Sequence, residues 1–320
     1  MDLLVVILNY RTPKLVVRGL SSLEPEVQRL GSMHVVVTDN DSGDGSVDLI
    51  GKAIEEHGWG EWCTLMPLSR NGGFSWGCNA GIRPYIEGPE PPKYVMLHNP
   101  DAWIREGAVS ALREFLEEHP NVGIAGSRIE SPDGPRLNSC FRFPTATSEL
   151  LQGTKLGVLD RLLHDKQLLY EPIDEPTEVD WVSGAAMMIR KEVFDDIGLL
   201  DEGYFLYFDD VDFCFRARRA GWPSYYVPSS VVAHLKAQAT GITHEREEKR
   251  RYPDYYFDSR RRFFVKNRGK LGAALADVAF LGGYTTFRLR RVLQRKPFDE
   301  PPFFWRDSVR NSIFVKGFQL

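Results

Sequence analysis

At 320 residues and 42% hydrophobic content, the chain can bury the core of one large α/β domain plus an appendage, which excludes a disordered or disulfide-stapled mini-protein. Its four cysteines, Cys63, Cys78, Cys140 and Cys214, form no CxxC pair and show no metal-ligand spacing, so they read as reduced residues of a cytosolic protein. The formal charge of -4 hides an uneven division, because residues 244 to 296 hold fifteen Lys and Arg against six Asp and Glu.

The chain begins with the apolar run Leu3-Leu-Val-Val-Ile-Leu8 and passes at once to Asn9-Tyr-Arg11. With neither a basic n-region nor a small-residue cleavage site, the run predicts a buried parallel strand instead of a signal peptide. Strands at 3 to 8, 34 to 38, 64 to 67 and 94 to 97 alternate with helical stretches near 13 to 30, 46 to 57, 76 to 86 and 106 to 118. That alternation predicts a βαβ series and a doubly wound sheet. In such sheets ligands sit beyond the carboxyl ends of the strands. Asn9 to Thr12 follow the first strand there, and Asp39 with Asn40 follow the second. Asp39-Asn-Asp-Ser-Gly-Asp-Gly45 is also a turn, with Ser46 or Asp44 capping the next helix, and the two roles are compatible. Arg70-Asn-Gly-Gly-Phe74 lets backbone approach a ligand and offers N–H donors ahead of a helix. Tyr94 to Leu97 form a strand broken by Asn99-Pro100, so Asp101 emerges at its carboxyl end.

Val122-Gly-Ile-Ala125 predicts a further strand, and residues 130 to 177, rich in Pro, Gly and polar side chains, predict an excursion over the active-site face. Glu178 to Val182 and Ala186 to Ile189 continue the sheet before a helix over Lys191 to Ile197. Within Trp181-Val-Ser-Gly-Ala-Ala186, small residues let a ring approach the backbone, while Trp181 serves equally as a stacking platform or a core aromatic. The run Tyr204-Phe-Leu-Tyr-Phe-Asp-Asp-Val-Asp-Phe-Cys-Phe-Arg216 places Asp209, Asp210 and Asp212 behind a strand-like apolar segment. Those acids either start a helix near Val211, with Asp209 or Asp210 as its cap, or supply a general base or a metal contact. Ser224 to His234 predict a strand, a turn at Pro228, a second strand and a terminal histidine. Asp101, the acidic cluster and His234 each follow a strand, a constellation suited to a hard cation and a base.

The basic part, with Lys249-Arg-Arg251, Arg260-Arg-Arg262 and Arg288-Leu-Arg-Arg291, is interleaved with Tyr255, Tyr256, Phe263, Phe264 and Phe287. This composition fits an anionic lipid surface and equally a solvated basic helical subdomain; no recognition motif for nucleic acid accompanies it. Leu271 to Phe287 contain Asp277 and several glycines and fall short of a transmembrane span.

Several segments occurring in order, Val5 to Arg11, Val37 to Ser46, Asn71 to Phe74 with Asn79-Ala-Gly81, Asn99-Pro-Asp101, Gly184 to Ala186 and Phe208 to Asp212, resemble the family 2 inverting glycosyltransferases, rhamnosyltransferase-like branch. The resemblance runs from about Leu3 to about Gly241. It implies an α/β, A-type glycosyltransferase fold with a mostly parallel sheet, a nucleotide-sugar-binding catalytic domain over 1–243 and a mainly helical extension over 244–320. It implies donor contacts from Asn9, Tyr10, Arg11, Asp39, Asn71, Gly72, Asn79 and Asn99, with Asp39 at a pyrimidine base. Asp210 matches the base; Asp209, Trp181, Gly184 and Ala185 fall beside the sugar and acceptor. Asp101 and His234 match ligands of Mg or Mn, and Asn99 stands where the strict Asp-X-Asp pattern has its first acid. The implied donor is a nucleoside diphosphate sugar, with dTDP-rhamnose first, and the acceptor a saccharide or polyprenyl-diphosphate-linked saccharide at the inner face of the membrane. A hexosyl- or galactofuranosyl-type transferase is the alternative on the same fold. A non-catalytic carbohydrate-binding module has no need of a base, and a nucleotidyltransferase needs a basic Gly-rich loop where Asn9-Tyr-Arg-Thr-Pro13 stands.

Overall fold

The computed structural model describes residues 1–171, 173–235 and 250–320. Lys249, part of the first basic run, lies outside them. The chain runs β1 (Leu3–Asn9), α1 (Pro13–Leu30), β2 (Met33–Asp39), α2 (Ser46–Glu56), β3 (Cys63–Pro67), α3 (Phe74–Ile86), β4 (Tyr94–His98), β5 (Ala102–Ile104), α4 (Ala108–Glu118) and β6 (Ile124–Glu130). It continues with β7 (Cys140–Phe141), α5 (Ala146–Thr154), α6 (Gly157–Leu162), β8 (Thr177–Val179), β9 (Trp181–Val182), β10 (Ala186–Arg190) and α7 (Lys191–Ile197). The last elements are α8 (Asp209–Arg219), β11 (Ser224–His234), α9 (Asp254–Leu293), α10 (Phe304–Arg310) and α11 (Ile313–Lys316). They divide into two compact units, Met1–Phe141 with Glu171–Phe205 and Asp209–Thr240, and Arg142–Tyr170 with Leu206–Phe208 and Gly241–Leu320.

The first unit holds a nine-stranded sheet in the order β3-β2-β1-β4-β10-β6-β11-β5, with β8 also paired to β11. Pairs β3/β2, β2/β1, β1/β4 and β6/β11 are parallel, and β10 runs antiparallel between β4 and β6. Every residue of β1 is buried, as a strand covered on both faces by βαβ helices must be. Strands β2 and β3 lie on one side of β1 and β4 on the other. The order therefore reverses at β1/β4, which opens a crevice outside their carboxyl ends, at Asn9 and just past His98.

Four local expectations are corrected. Ser224 to His234 form one strand: Pro228 sits in a bulge between Val227 and Val231, where the register against β6 shifts and no ladder N–H is needed. Tyr204 to Phe208 form no strand, because Tyr207 (φ 69°) and Phe208 (φ 60°) turn left-handed and end the segment in a tight turn. Glu178 to Val182 split between two sheets, with β8 on β11 and β9 on β7. Residues 130 to 177 contain a helix, α5, started by a reciprocal cap in which Thr145 Oγ1 accepts the Ser148 N–H (3.1 Å) and Ser148 Oγ accepts the Thr145 N–H (2.9 Å).

In the second unit α5 packs closely on α9. A Cβ at Gly153 would stand 2.6 Å from the Phe280 carbonyl oxygen, and one at Gly283 would stand 3.0 Å from that of Leu150, so only glycines permit the crossing. Arg260, expected on a basic surface, is instead buried in this contact, with Glu149 at 2.6 Å and Asp277 at 2.5 Å. The long helix α9 is broken in direction at Gly269 (φ 70°, ψ 176°).

Candidate active site

Three acids and a histidine stand at the carboxyl side of the sheet in the first unit. At the end of β1, Asn9 is buried and donates from Nδ2 to Asp39 Oδ2 (2.6 Å), while its Oδ1 accepts the Thr12 N–H (3.2 Å). Asp39, also buried, accepts the Ser42 N–H on Oδ1 (3.0 Å) and the Ser42 hydroxyl on Oδ2 (2.7 Å). Arg11, at φ 57°, donates its N–H to Ser42 Oγ (3.0 Å) and its Nε–H to the Ser42 carbonyl (3.1 Å), and its guanidinium lies 5.1 Å from the Tyr10 ring. The two loops after β1 and β2 are thus held as one rigid wall.

Asn40 holds the neighbouring wall and was named only in passing by the sequence pattern. Its Nδ2 donates to Asn71 Oδ1 (2.8 Å) and to the Gly73 carbonyl (3.2 Å), and its Oδ1 accepts the Gly72 N–H (3.3 Å). Gly73, at φ 90° and ψ -178°, occupies a region closed to other residues, and a Cβ there would fall 2.3 Å from the Phe205 carbonyl oxygen. The Phe74 N–H donates to that same oxygen at 2.6 Å, so the glycine loop is stitched to the run that leads to Asp209. Asn79 is buried and its amide is committed, with Nδ2 donating to the Leu200 carbonyl (2.9 Å) and Glu202 (3.0 Å), and Oδ1 accepting the Leu200 N–H (3.1 Å).

Beyond β4, the break at Asn99-Pro100 turns the chain into the short β5, which pairs antiparallel with the end of β11 so that Ala102 faces His234. This pairing, invisible in a three-residue strand, brings His234 Nε2 to 2.9 Å from Asp101 Oδ1. Asn99 Nδ2 lies 3.4 Å from the same nitrogen. Nε2 cannot both donate to Asp101 and accept from the Asn99 amide, and the shorter contact makes it a donor to Asp101. The Asn99 N–H donates to the Ala185 carbonyl (3.0 Å), and the adjacent Gly184 N–H donates to Asp210 Oδ2 (3.1 Å). Asp101, His234, Asn99, Ala185, Gly184 and Asp210 therefore form one connected set. Trp181 stacks one face on Phe141, with centroids 4.2 Å apart and planes 16° from parallel.

The three acids of α8 differ in their surroundings. Asp212 is fully buried and accepts from the Tyr204 hydroxyl (3.1 Å) and Arg216 Nε (2.9 Å), while Arg216 also donates to the Ile197 and Leu199 carbonyls, a structural clamp. Burial raises the Asp209 carboxyl well above the ordinary range, and the neighbouring Asp210 charge adds to the rise. Burial also raises Asp210, but the N–H groups of Gly184 and Val211 favour its ionised form. Environment thus separates two adjacent acids: burial and its neighbour's charge push Asp209 the further up, while Asp210 keeps two N–H partners that favour its charged form.

Residues 2–253 match the model of glycosyltransferase like family 2. The chain belongs to this family. An N-acetylglucosaminyl-diphospho-decaprenol L-rhamnosyltransferase of Mycobacterium tuberculosis is 31% identical over 250 residues, covering 74% of this chain and 77% of the relative. Rhamnosyltransferase WbbL of Escherichia coli is 39% identical over 148 residues, 46% of this chain and 53% of that protein. Among solved structures, the mannosyltransferase PcManGT from Pyrobaculum calidifontis, in complex with GDP-Man and Mn2+, superposes with a TM-score of 0.59 at 14% identity, over 92% of this chain and 75% of that one. The protein is a family 2 glycosyltransferase with the A-type fold and a C-terminal helical region.

The structure of this glycosyltransferase brings Asn9, Arg11 and Asp39 into one wall, Asn71 and Gly72 into the next, and Asn99, Asp101, Gly184, Ala185, Asp210 and His234 into the connected set. Asn79 stands apart from both, its amide spent on the Leu200–Glu202 segment. Asn40 carried a usable signal, since a second amide directly after Asp39 has a free side chain to offer the facing loop.

Proposed function

We propose that this glycosyltransferase moves a sugar, rhamnose from dTDP-rhamnose first, to a polyprenyl-diphosphate-linked saccharide, with inversion at the anomeric carbon. The observation that carries this reading is the placement of Asp210, whose carboxylate accepts the Gly184 and Val211 N–H groups in the same connected set as Asp101 and His234. Transfer needs a base at the acceptor hydroxyl. The hydroxyl oxygen bonds to the anomeric carbon as its proton passes to Asp210, and the bond to the diphosphate breaks on the opposite face. A single displacement of this kind inverts the centre. Asp209, whose carboxyl is raised by burial and by the neighbouring Asp210, borders the acceptor or sugar region, and Gly184 and Ala185 leave room for the ring. Trp181, stacked on Phe141, is the aromatic that precedes these small residues in the chain and would border the sugar.

Asp101 and His234 fit a divalent cation: a buried carboxylate oxygen and an imidazole nitrogen converge at 2.9 Å, a donor pair suited to Mg or Mn. Among the described residues no group of three or more His, Cys, Asp or Glu is placed to hold a metal, so Asp101 and His234 would hold the ion together with the donor diphosphate and water. When bound, the ion supplies positive charge to the departing diphosphate. The walls at Asn9, Tyr10, Arg11 and Asp39 and at Asn71 and Gly72 receive the nucleotide, with Asn79 positioning the segment behind them. The catalytic domain spans 1–243 and the extension 244–320. The names of the relatives support both rhamnose and the lipid-linked acceptor, and an acceptor of that kind agrees with work at the inner face of the membrane.

Thermal shift against a panel of nucleoside diphosphate sugars, with and without Mn, tests the reading. A donor present at about a hundredfold over its Kd stabilises by about 2.7 kcal/mol. The expected result is a rise in Tm with dTDP-rhamnose that grows with Mn. A larger rise with a UDP-hexose moves the donor to the hexosyl or galactofuranosyl class, and no rise with any nucleotide sugar overturns the proposal.

A further inference from the structure

Glycosyl transfer as derived above gives the second unit no task, yet one face of it is chemically unusual. After the kink at Gly269, α9 exposes Leu271 (74%), Leu275 (51%), Val278 (58%), Leu289 (59%), Val292 (61%) and Leu293 (84%). At about 100° per residue these six fall within one stripe about 100° wide, running about 33 Å along the helix. Ala273, Ala276, Asp277, Tyr284 and Phe287 are buried on the opposite side, where α5 packs. The helix is therefore apolar on both faces; α5 covers one, and the other is open in two patches, Leu271 to Val278 and Leu289 to Leu293, on either side of Thr285, whose Oγ1 accepts the Trp305 Nε1–H at 3.1 Å.

Charge identifies what suits the uncovered face. Between residues 259 and 298 the only acid is Asp277, which is 4% exposed and paired with Arg260. Exposed cations stand at both ends of the stripe, Lys270 at its start and Arg295 and Lys296 just past its end. Beyond them, Glu300 is engaged by Arg288 at 2.5 Å. A second copy of this chain is a poor occupant, because a parallel or an antiparallel pairing of two stripes sets cations against cations. No helix among the described residues is long and apolar enough to cross a membrane, so a lipid contact here lies along the surface.

We infer that this stripe is the face by which the enzyme rests on an anionic phospholipid leaflet, with the six aliphatic side chains entering the headgroup boundary and the terminal cations meeting lipid phosphates. The inference deepens the lipid-linked acceptor reading and rests on it for its purpose, but it is tested without donor or acceptor. It also moves the expected lipid contact from Arg260 to the second half of α9.

The experiment is co-sedimentation of the full chain with acceptor-free vesicles of phosphatidylcholine, alone or mixed with phosphatidylglycerol, at low and high salt. Wild type is expected to pellet with the anionic vesicles and to be released by salt. The double variant Leu275→Glu with Val278→Glu should lose at least roughly tenfold in partitioning, and Leu289→Gln with Leu293→Gln should weaken it at the other end. Thermal melting of both variants should match wild type, since all four side chains point away from the packed face. Equal pelleting on both lipids, none on either, or a lipid-free dimer in sedimentation velocity that the glutamate variant abolishes would each overturn the inference. Because nucleotide-sugar stabilisation is read separately, loss of lipid binding with intact donor binding leaves the transferase reading standing.

Discussion

Replacing Asp210 by Asn removes the proposed base while changing little else. In the wild type Oδ2 accepts the Gly184 N–H at 3.1 Å and Oδ1 the Val211 N–H at 2.8 Å. An asparagine keeps one acceptor, so one of these N–H groups is left unpaired at a cost of about 1–3 kcal/mol. Loss of the charge beside Asp209 works in the other direction, since Asp210 raises its neighbour. The two effects oppose, and the melting temperature should move by only a few degrees. Activity should not be spared. Loss of a general base costs about 10²- to 10⁴-fold, or about 3–5 kcal/mol of barrier. Donor affinity, measured by calorimetry, should stay within about threefold, because the base acts on the acceptor. In the wild type, kcat should fall on the acid side with a midpoint above the ordinary aspartate value of 3.8, since burial raises Asp210 and protonation disables it. Turnover of the variant within a factor of about ten of wild type would refute the assignment.

Asp101→Asn and His234→Ala should each raise the Mn concentration giving half-maximal activity, by roughly tenfold or more if both atoms ligate; an unchanged Mn titration in His234→Ala removes that residue from the site. Gly73→Ala should lower both stability and donor binding, because φ 90° and the 2.3 Å approach to the Phe205 carbonyl leave no place for a methyl; wild-type melting and donor affinity would contradict the packing argument. Asp209→Asn should stabilise the protein increasingly as pH rises. The folded-state pKa of Asp209 is raised, so the stability it contributes is complete below the unfolded value and is lost as pH climbs through the folded one. Melting curves from pH 4 to 8 that run parallel for variant and wild type would show that Asp209 is not perturbed.

Much of the first unit was legible because its signals are local. Buried apolar runs punctuated by Asn-Pro, Gly-Gly and Asx turns located β1 to β4, and the same punctuation placed Asn9, Asp39 and Asp101 at strand ends. What was not legible depends on distant partners. β5 has three residues and exists only through its pairing with the end of β11. β11 passes through Pro228 because a bulge absorbs the missing N–H, although proline alone suggests a turn. Tyr204 to Phe208 have the aromatic composition of a strand, and only the left-handed Tyr207 and Phe208 show otherwise. Residues 145 to 148 hide a helix start, because Ser148 fills the place where Glu or Gln signals a capping box. Asn79 looked free to face a ligand, but its amide is claimed by a segment 121 residues later.

The most direct test of the central claim is the configuration of the product. With the donor that gives the largest thermal shift and a polyprenyl-diphosphate-linked acceptor, the anomeric centre of the transferred sugar is read by NMR from its one-bond C–H coupling. A single displacement assisted by Asp210 predicts a configuration opposite to that of the donor, whereas a product that keeps the donor's configuration would contradict the account.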